Sequence, residues 1–239
     1  MVILPIVSLK GGVGKTTISL NFANLLANKG KTLILDTDPQ NSVAALLCKD
    51  FDKGFAEYIL DNIDIKELVQ VSDHNENLHI LPAGKNAILH LEEFEKKVNA
   101  VRFESFLEDA SKYYDYLVID TPPTLNEQNI SILKIIDHFV IVIKPEPASV
   151  ASLALFFEFF HKKGLANKYQ VIINEMEANE LCADFHTYIQ AITDNNVLAT
   201  IPKDMEVVDS QAQCIPTTTL HPESVFATIM KEALEKLGL

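Results

Sequence analysis

The chain has 239 residues, 48% of them apolar and 22% charged, a composition typical of globular proteins. Its 33 acidic residues outnumber the 20 basic ones and give a formal net charge of −13, and Arg102 is the only arginine. This charge opposes binding to nucleic acids or anionic lipids through the long-range field, although a local basic patch can override it. The composition therefore weakens any expectation of DNA binding.

No apolar stretch approaches the roughly 18 residues that a membrane-spanning helix needs. The chain opens on a strand-like stretch without a charged leader, so we expect a cytoplasmic protein. The cysteines, Cys48, Cys182 and Cys214, are far apart in sequence and form no Cys-x-x-Cys motif. We therefore expect neither a disulfide framework nor a metal site built from thiolates.

Short β-branched stretches alternate along the chain with longer stretches of helical period. The predicted strands cover residues 2–8, 32–36, 78–82, 116–120, 139–144, 171–174 and 197–201. The predicted helices cover roughly residues 15–29, 85–112, 127–137, 146–163, 180–194, 204–211 and 222–237. Continuous apolar stretches such as 139–143 are typical of parallel strands buried on both faces. We predict an α/β fold with a doubly wound, mostly parallel sheet and helices on both faces, in one domain spanning residues 1–239.

Three local features bear on packing. Pro5 removes a ladder donor from the first strand, so either a bulge accommodates it or that donor position faces no acceptor. Phe156, Phe157, Phe159 and Phe160 span a wide arc of one helix, which favours burial of all four over a partly exposed aromatic edge. The last helix pairs an apolar face with a polar face of mixed charge, so we expect it to dock on the protein rather than on a membrane.

A glycine-rich loop follows the first strand and precedes a helix. It reads Ser-Leu-Lys-Gly-Gly-Val-Gly-Lys-Thr-Thr over residues 8–17. Glycines permit positive φ and turn backbone N–H groups onto a polyphosphate, and the helix N-terminus adds its dipole. In this context Lys15 is expected to reach the β- and γ-phosphates and Thr16 to ligate Mg²⁺. The predicted nucleotide-binding residues of the loop are Lys10, Gly11, Gly12, Val13, Gly14, Lys15, Thr16 and Thr17.

The loop departs from the general phosphate-loop pattern, because Leu9 occupies the first glycine position and Lys10 precedes the glycines. In these residues the chain resembles the ParA/MinD family of deviant Walker A ATPases, whose loop reads KGGxGK[ST], and particularly ParA/Soj-type partition ATPases. The resemblance implies that Lys10 crosses a nucleotide-sandwich dimer and contacts the partner's phosphates, as an arginine finger does elsewhere. The alternative is a solvated lysine beside the loop.

Two carboxylate segments at predicted strand ends extend the resemblance: Asp-Thr-Asp-Pro-Gln over residues 36–40 and Asp-Thr-Pro-Pro over residues 120–123. It implies that Asp38 orients the attacking water and Asp36 supports it from the second shell, whereas otherwise both would only cap a strand end. It also implies that Asp120 holds Mg²⁺ through water. Farther along, Asn174 and Pro202 resemble adenine-recognition segments, although Asn174 fits a turn cap equally well.

The resemblance implies a slow ATPase that uses ATP and Mg²⁺, forms a homodimer when ATP is bound, and is reset by partner-stimulated hydrolysis. We expect a ParA-like ATPase that segregates plasmid or chromosome DNA with a ParB-like centromere-binding partner, in the cytoplasm and in association with the nucleoid. No helix-turn-helix stretch precedes the first strand, so operator binding is not expected. Nonspecific DNA binding would depend on lysines of the C-terminal part, such as Lys162, Lys163, Lys168, Lys203, Lys231 and Lys236.

A second hypothesis is a positioning ATPase of the MinD/ParA type for a protein cargo, such as a division site, a pole or a secretion apparatus, without DNA binding. The charge of −13 and the single arginine favour it. A metal-cluster enzyme on the same scaffold is disfavoured by the absence of paired cysteines. Neither hypothesis includes membrane binding.

Overall fold

The computed structural model describes residues 1–124, 127–165 and 168–239, apart from the side chains at 127–129, 131, 148–152, 154 and 155. These residues form an eight-stranded sheet in the order β3-β4-β2-β5-β1-β6-β7-β8. The strands are β1 (Val2–Val7), β2 (Thr32–Asp36), β3 (Gln70–Val71), β4 (Leu78–Leu81), β5 (Tyr116–Asp120), β6 (Phe139–Ile143), β7 (Tyr169–Met176) and β8 (Val197–Pro202). β3 is antiparallel to β4 and all other neighbouring pairs are parallel, which confirms the predicted doubly wound α/β fold.

The order of the strands determines where a ligand can bind. β2 to β5 lie on one side of β1 and β6 to β8 lie on the other, so the chain changes direction across the sheet at β1. Open α/β sheets bind ligands in the crevice at such a switch point, outside the carboxyl ends of the strands. The glycine-rich loop begins at the carboxyl end of β1 and therefore lies at this crevice.

Twelve helices accompany the sheet within the described residues. They are α1 (Lys15–Ala27), α2 (Ser42–Leu46), α3 (Phe55–Asp61), α4 (Asn86–Leu89), α5 (Leu91–Lys97), α6 (Ala100–Ser111), α7 (Glu127–Lys134), α8 (Pro147–Lys163), α9 (Glu180–Ile192), α10 (Met205–Ala212), α11 (Thr217–Leu220) and α12 (Val225–Lys236), with a 3₁₀ turn at Ile65–Glu67. The prediction of one helix over 85–112 is wrong, since three helices occupy that stretch. Asn99 begins the last of them by accepting a hydrogen bond from the Arg102 N–H at 3.1 Å.

Successive residues of each strand face opposite sides of the sheet. Ile34 of β2 packs on the face that α1 and α12 cover, whereas Leu33 and Leu35 pack on the face that α3 and α6 cover. A third cluster lies between β6, β7 and α8, where Phe156 and Phe160 are buried. Phe157 and Phe159 are only half-buried, so the expected burial of all four rings holds for two of them.

Pro5 interrupts no pairing between β1 and β5, whose register runs without a shift from Val2 to Ile6. The Val2 N–H donates toward β5, to the Asp115 carbonyl at 2.8 Å. Because N–H groups alternate in direction along a strand, the nitrogen of Pro5 faces β6, and pairing with β6 begins only at Ile6. The donor position that Pro5 lacks therefore faces no acceptor, which is the second of the two predicted alternatives. A bulge does not accommodate this residue.

The apolar face of α12 docks on the sheet as expected, with Phe226, Met230 and Leu234 buried in the cluster that β8 and α1 share. Among the described residues, no helix combines the length and the low polarity that crossing a bilayer requires. The sequence predicted no disulfide framework, yet one bridge forms: Cys48 and Cys214 are bonded, with their Cα atoms 5.8 Å apart although 166 positions separate them in sequence. Distance along the chain does not measure distance in the fold, because α2 and α10 end side by side.

Candidate nucleotide-binding site

The loop from Ser8 to Gly14 turns the chain from β1 into α1, and its glycines meet specific steric demands. Gly12 and Gly14 have φ values of 75° and 88°, in the region that residues with a side chain rarely adopt. A Cβ atom on Gly14 would also collide with the side-chain amide of Asn174. The Gly14 carbonyl accepts the Ile18 N–H at 3.0 Å and so begins α1 directly at the loop. The N-terminus of α1 therefore points its free N–H groups into the crevice.

Two cavities flank this loop. The larger, of about 540 Å³, lies between the loop and the start of α2, and Lys10, Lys15, Thr16 and Asp38 are among its lining residues. The smaller, of about 290 Å³, lies between the loop, the end of β7 and α10. Gly12, Gly14 and Thr17 line both, so one ligand could reach from one cavity into the other across the loop.

The inner end of the larger cavity holds a buried polar cluster around Asp120, which is the last residue of β5 and has no solvent exposure. Lys15 Nζ contacts Asp120 Oδ1 at 2.8 Å, and Thr16 Oγ1 donates to Asp120 Oδ2 at 2.8 Å. Ser19 Oγ donates to Oδ1 at 2.7 Å. The structure thus brings together three predicted residues from two distant parts of the chain, and it adds Ser19, one helical turn after Lys15.

Asp36, the last residue of β2, and Asp38, two residues later, lie at the same crevice but have different partners. Asp36 accepts backbone N–H groups from Asp38 at 2.9 Å and Val43 at 3.0 Å, so it holds the turn between β2 and α2 in shape. Asp38 lines the larger cavity, is 8% exposed and accepts the Gln40 N–H at 3.0 Å. Asp36 is therefore placed behind the loop that presents Asp38.

Burial dominates the electrostatics of both carboxyl groups. Burial raises the pKa of Asp36 well above its usual value, and the nearby Asp120 charge raises it further, against the lowering effect of the Val43 N–H. Burial also raises the pKa of Asp38, against the Gln40 N–H and the charge of Lys15, which lower it. A carboxylate whose pKa is shifted toward neutrality in a cleft is suited to proton transfer at physiological pH.

These raised pKa values predict how the stability of the nucleotide-free protein depends on pH. Where the folded-state pKa exceeds the unfolded one, the folded form binds more protons in the window between them, and stability falls as pH rises through that window. We therefore expect the free energy of unfolding to increase on acidification from neutral pH, and to increase less in Asp38→Asn than in the natural protein. Urea unfolding of both proteins at a series of pH values measures this, and identical pH dependences would contradict it.

Lys10 lies at the rim of the larger cavity, where its Nζ contacts Glu146 Oε1 at 2.5 Å. The two side chains are 48% and 37% exposed, so the ion pair is weak and easily exchanged. Glu146 immediately precedes α8 on the far side of β6. In this single chain Lys10 therefore lies at the surface of the cavity, available to a second molecule that covers it.

Asn174 and Pro202 line the smaller cavity, at the ends of β7 and β8. Asn174 does not cap the next turn: its Nδ2 donates to the Val13 carbonyl at 2.9 Å and ties the loop to β7. On the opposite wall, Gln211 Nε2 of α10 donates to Thr17 Oγ1 at 2.9 Å. The glycine-rich loop is thus held from both sides of this cavity by side-chain amides.

The residues around the larger cavity fit a magnesium–nucleoside triphosphate. A primary amine, a hydroxyl and a carboxylate converge there, the donor set that phosphates and Mg²⁺ prefer. Ser8 Oγ, at the carboxyl end of β1, is buried and has no hydrogen-bond partner among the described residues. Thr16 and Asp120 are the side chains that would hold Mg²⁺, and the smaller cavity is next to the loop where a base could lie.

The sequence motifs did not predict two neighbours of the site, Ser19 and Asn41. The spacing of Ser19, four residues after Lys15 on a helix, was a signal that both side chains share one face. Asn41 had no such signal: it adopts φ 53° at the start of α2, its Oδ1 accepts the Gly84 N–H at 2.9 Å, and its Nδ2 donates back to the Gly84 carbonyl at 3.3 Å. It connects the turn after Asp38 to the end of β4.

Comparisons with known proteins identify the family to which the chain belongs. The family model of the AAA domain (AAA_31) matches residues 1–173. Sporulation initiation inhibitor protein Soj of Bacillus subtilis (strain 168) is 32% identical over 157 residues, which cover 64% of this chain and 62% of Soj, less than two thirds of that relative's own length. Virulence plasmid ParA family protein pGP5-D of Chlamydia muridarum (strain MoPn / Nigg) is 27% identical over 232 residues, 92% of this chain and 86% of that protein.

Solved structures of similar proteins extend the match over the whole fold. A protein of Borrelia burgdorferi B31 described as a plasmid partition protein, solved bound to AMPPNP, superposes with a TM-score of 0.80 at 26% identity, over 99% of this chain and 98% of that one. The fold, the phosphate loop and the buried Lys-Asp pair define the class of P-loop nucleotide-binding proteins. The chain belongs to the AAA domain family, in the ParA/MinD group of deviant Walker A ATPases.

Proposed function

We propose that this protein is an ATP-driven switch that forms a face-to-face homodimer around two Mg·ATP molecules and returns to the monomer on hydrolysis. The observation that carries the proposal is the buried cluster of Lys15, Thr16 and Asp120 below a cavity whose rim bears Lys10. Binding energy would drive the dimer, and hydrolysis would reset it. The nucleotide-binding residues are Lys10, Gly11, Gly12, Val13, Gly14, Lys15, Thr16, Thr17, Asn174 and Pro202.

Asp120 neutralises Lys15 in the nucleotide-free chain. A bound triphosphate would take over that role, and the released Asp120 carboxylate, together with the Thr16 hydroxyl, would hold Mg²⁺. Asp120 would act through a bound water, and the metal would supply positive charge that stabilises the phosphate oxygens. Asp38, with its raised pKa, would orient the attacking water and accept its proton, while Asp36 keeps the turn in place.

The cross-dimer role of Lys10 leads to a separable prediction. Lys10→Ala should bind ATP as a monomer with nearly unchanged affinity, because only an exposed ion pair with Glu146 is lost. It should fail to dimerise with ATP or to turn it over, which sedimentation velocity and phosphate release measure. Lys97→Ala, which removes an exposed ion pair with Glu93, is the matched control and should behave like the natural protein. An intact ATP-dependent dimer with full activity in Lys10→Ala would reject the cross-dimer role.

For the cargo, we propose segregation of plasmid or chromosome DNA with a ParB-like partner. The support is the similarity over most of the chain to a virulence plasmid ParA family protein and to the B. burgdorferi protein described as a plasmid partition protein. The ATP-bound dimer would carry the DNA-binding surface, and the partner would stimulate hydrolysis. This function predicts binding that depends on ATP and weakens steeply with salt.

A specific observation favours the second candidate, a positioning ATPase for a protein cargo. All six lysines of the C-terminal part that could contact phosphates already have partners: Lys162 with Glu158, Lys203 with Glu177, Lys163 over the ring of Phe159, and Lys168, Lys231 and Lys236 with backbone carbonyls. These exposed contacts are individually weak, but Glu158 and Glu177 place negative charge beside two of the lysines and so lower the local positive potential on a chain of net charge −13. A relative whose name refers to the distribution of carboxysomes, the maintenance of carboxysome distribution protein A of Gloeothece citriformis (strain PCC 7424), is 29% identical over 157 residues, which cover 63% of this chain and 59% of that protein.

Binding to random-sequence duplex DNA with ATP, ADP or no nucleotide, across a salt series, decides between the two. Binding only with ATP that weakens with salt supports DNA segregation. No binding at low salt, in samples where sedimentation shows an ATP-dependent dimer, supports the protein cargo instead. Absence of both DNA binding and an ATP-dependent dimer would overturn the switch itself.

A further inference from the structure

The bridge between Cys48 and Cys214 joins two helix ends of the same kind. Cys48 is the second residue after α2, and Cys214 is the second residue after α10. At α2 the Cys48 N–H donates to the Ala45 carbonyl at 3.2 Å, and the next N–H, of Lys49, donates to the Ala44 carbonyl at 2.9 Å. This is the Schellman pattern, in which the residue after the C-cap adopts a left-handed conformation.

The end of α10 repeats the pattern. The Cys214 N–H donates to the Gln211 carbonyl at 3.2 Å, and the Ile215 N–H donates to the Ser210 carbonyl at 3.1 Å. The φ angles are 50° at Cys48 and 58° at Cys214. Glycine or asparagine is the usual residue at this position, because a Cβ atom is unfavourable there. The left-handed backbone therefore gives no reason for a cysteine at either position. The reason lies in the side chains, because the two sulfur atoms are bonded to each other.

The two bridged helices form walls of the two cavities. Ser42, Ala45 and Leu46 of α2 line the larger cavity beside the glycine-rich loop. Val207, Val208 and Gln211 of α10 line the smaller one on the other side of that loop. The covalent bond therefore ties the wall of the proposed phosphate site to the wall of the proposed base site, with the loop and the start of α1 between them.

We propose that Cys48 and Cys214 form a thiol–disulfide modification site that controls nucleotide release, an inference that rests on the proposed ATP-binding function. In the bridged form neither wall can move outward without pulling on the other, so bound nucleotide dissociates slowly. In the dithiol form α2 and α10 move independently, and nucleotide dissociates faster. Cys48 is exposed and Cys214 half-buried, so a small thiol reagent can reach the pair.

The exchange reaction uses a low-molecular-weight disulfide as the oxidant. A thiolate of the pair attacks one sulfur of that disulfide, which forms a mixed disulfide and expels one small thiolate. The second protein thiolate then attacks the protein sulfur of the mixed disulfide, closes the bridge and expels the second small thiolate. Two protein thiols are oxidised, one small disulfide is reduced to two thiols, and the reverse reaction opens the bridge. Disulfides that form in reducing compartments are usually transient and serve catalysis or redox sensing.

The test uses the full chain equilibrated with oxidised or reduced glutathione. Intact-mass measurement, with alkylation of remaining thiols, reports whether the bridge is closed. Dissociation of a fluorescent ATP analogue after mixing with excess ATP reports the release rate in each state. Cys48→Gly and Cys214→Gly remove one thiol while supplying the residue that the left-handed position favours, so the fold is retained. Cys182→Ser is the matched control, since Cys182 lies outside the bridge.

We expect several-fold slower nucleotide release from the bridged protein than from the dithiol protein, and dithiothreitol should reverse this effect. The difference in release rate between the two states should disappear in both glycine variants and remain in Cys182→Ser. Equal release rates in the two states would overturn the proposal that this bridge controls nucleotide release, and would leave the proposed ATP binding intact. A pair that stays reduced with oxidised glutathione would overturn the modification site. Absence of nucleotide binding in both states would overturn the proposed function and this inference together.

Discussion

Replacing Lys15 with alanine is expected to weaken ATP binding by about 30-fold to several thousand-fold, which corresponds to the ~2–5 kcal/mol lost when one partner of a buried charge pair is removed. Lys15 is 7% exposed at its side chain, and its Nζ lies at the inner end of the larger cavity against Asp120. No other described lysine approaches that carboxylate, so no neighbouring amine can take over. Titration with a fluorescent ATP analogue measures the change.

The nucleotide-free Lys15→Ala protein also loses the cation that compensates Asp120, so its stability falls, by about 3–5 kcal/mol if the carboxylate stays charged. Lys15→Met removes the same charge but retains much of the side-chain volume, so it shows which part of the change comes from the lost cation rather than from the space that alanine leaves. It should lose ATP affinity as Lys15→Ala does. Lys112→Ala removes the cation of an ion pair with Asp109 away from both cavities and should bind ATP normally. A folded Lys15→Ala protein with unchanged ATP affinity would remove Lys15 from the phosphate site.

Asp38→Ala is expected to reduce ATP turnover by about 100- to 10,000-fold, the usual contribution of a positioned general base, while ATP still binds. The ATP-bound dimer should therefore accumulate. The physical basis is the position of Asp38 in the larger cavity together with a pKa that burial raises toward the working pH. Phosphate release under saturating ATP measures turnover, and sedimentation velocity in the same samples measures the dimer.

Asp38→Asn controls for the structural part of this change. Asparagine keeps an oxygen that can accept the Gln40 N–H, which alanine does not, so the turn after β2 retains its hydrogen bond. If the carboxylate handles the proton, both variants lose turnover and both accumulate the dimer. If only the hydrogen bond in the turn after β2 matters, Asp38→Asn turns ATP over normally. Asp38 then shapes that turn and takes no part in catalysis.

Local patterns in the sequence determined most of the sheet and the position of the loop. Continuous apolar stretches such as 139–143 predict buried parallel strands, because only such strands need no polar face. The loop around Lys15 was predictable because strand, glycines and helix lie next to one another in the chain, so their geometry depends on neighbouring residues. The short helices α2 and α3 were missed, since a helix of five to seven residues is too short to display a period.

The tertiary structure decided the contacts between distant parts of the chain. Asp120 and Lys15 meet because β5 lies beside β1, and Asn174 reaches the Val13 carbonyl because β7 ends beside the loop. Cys48 and Cys214 meet because α2 and α10 end side by side, a fact that their sequence separation of 166 positions conceals. By itself, then, the sequence determined the class of fold and the phosphate loop, where interactions are local. The partners of Asp120, Asn174 and the bridged cysteines depend on the order of the strands, which is a property of the whole packed chain.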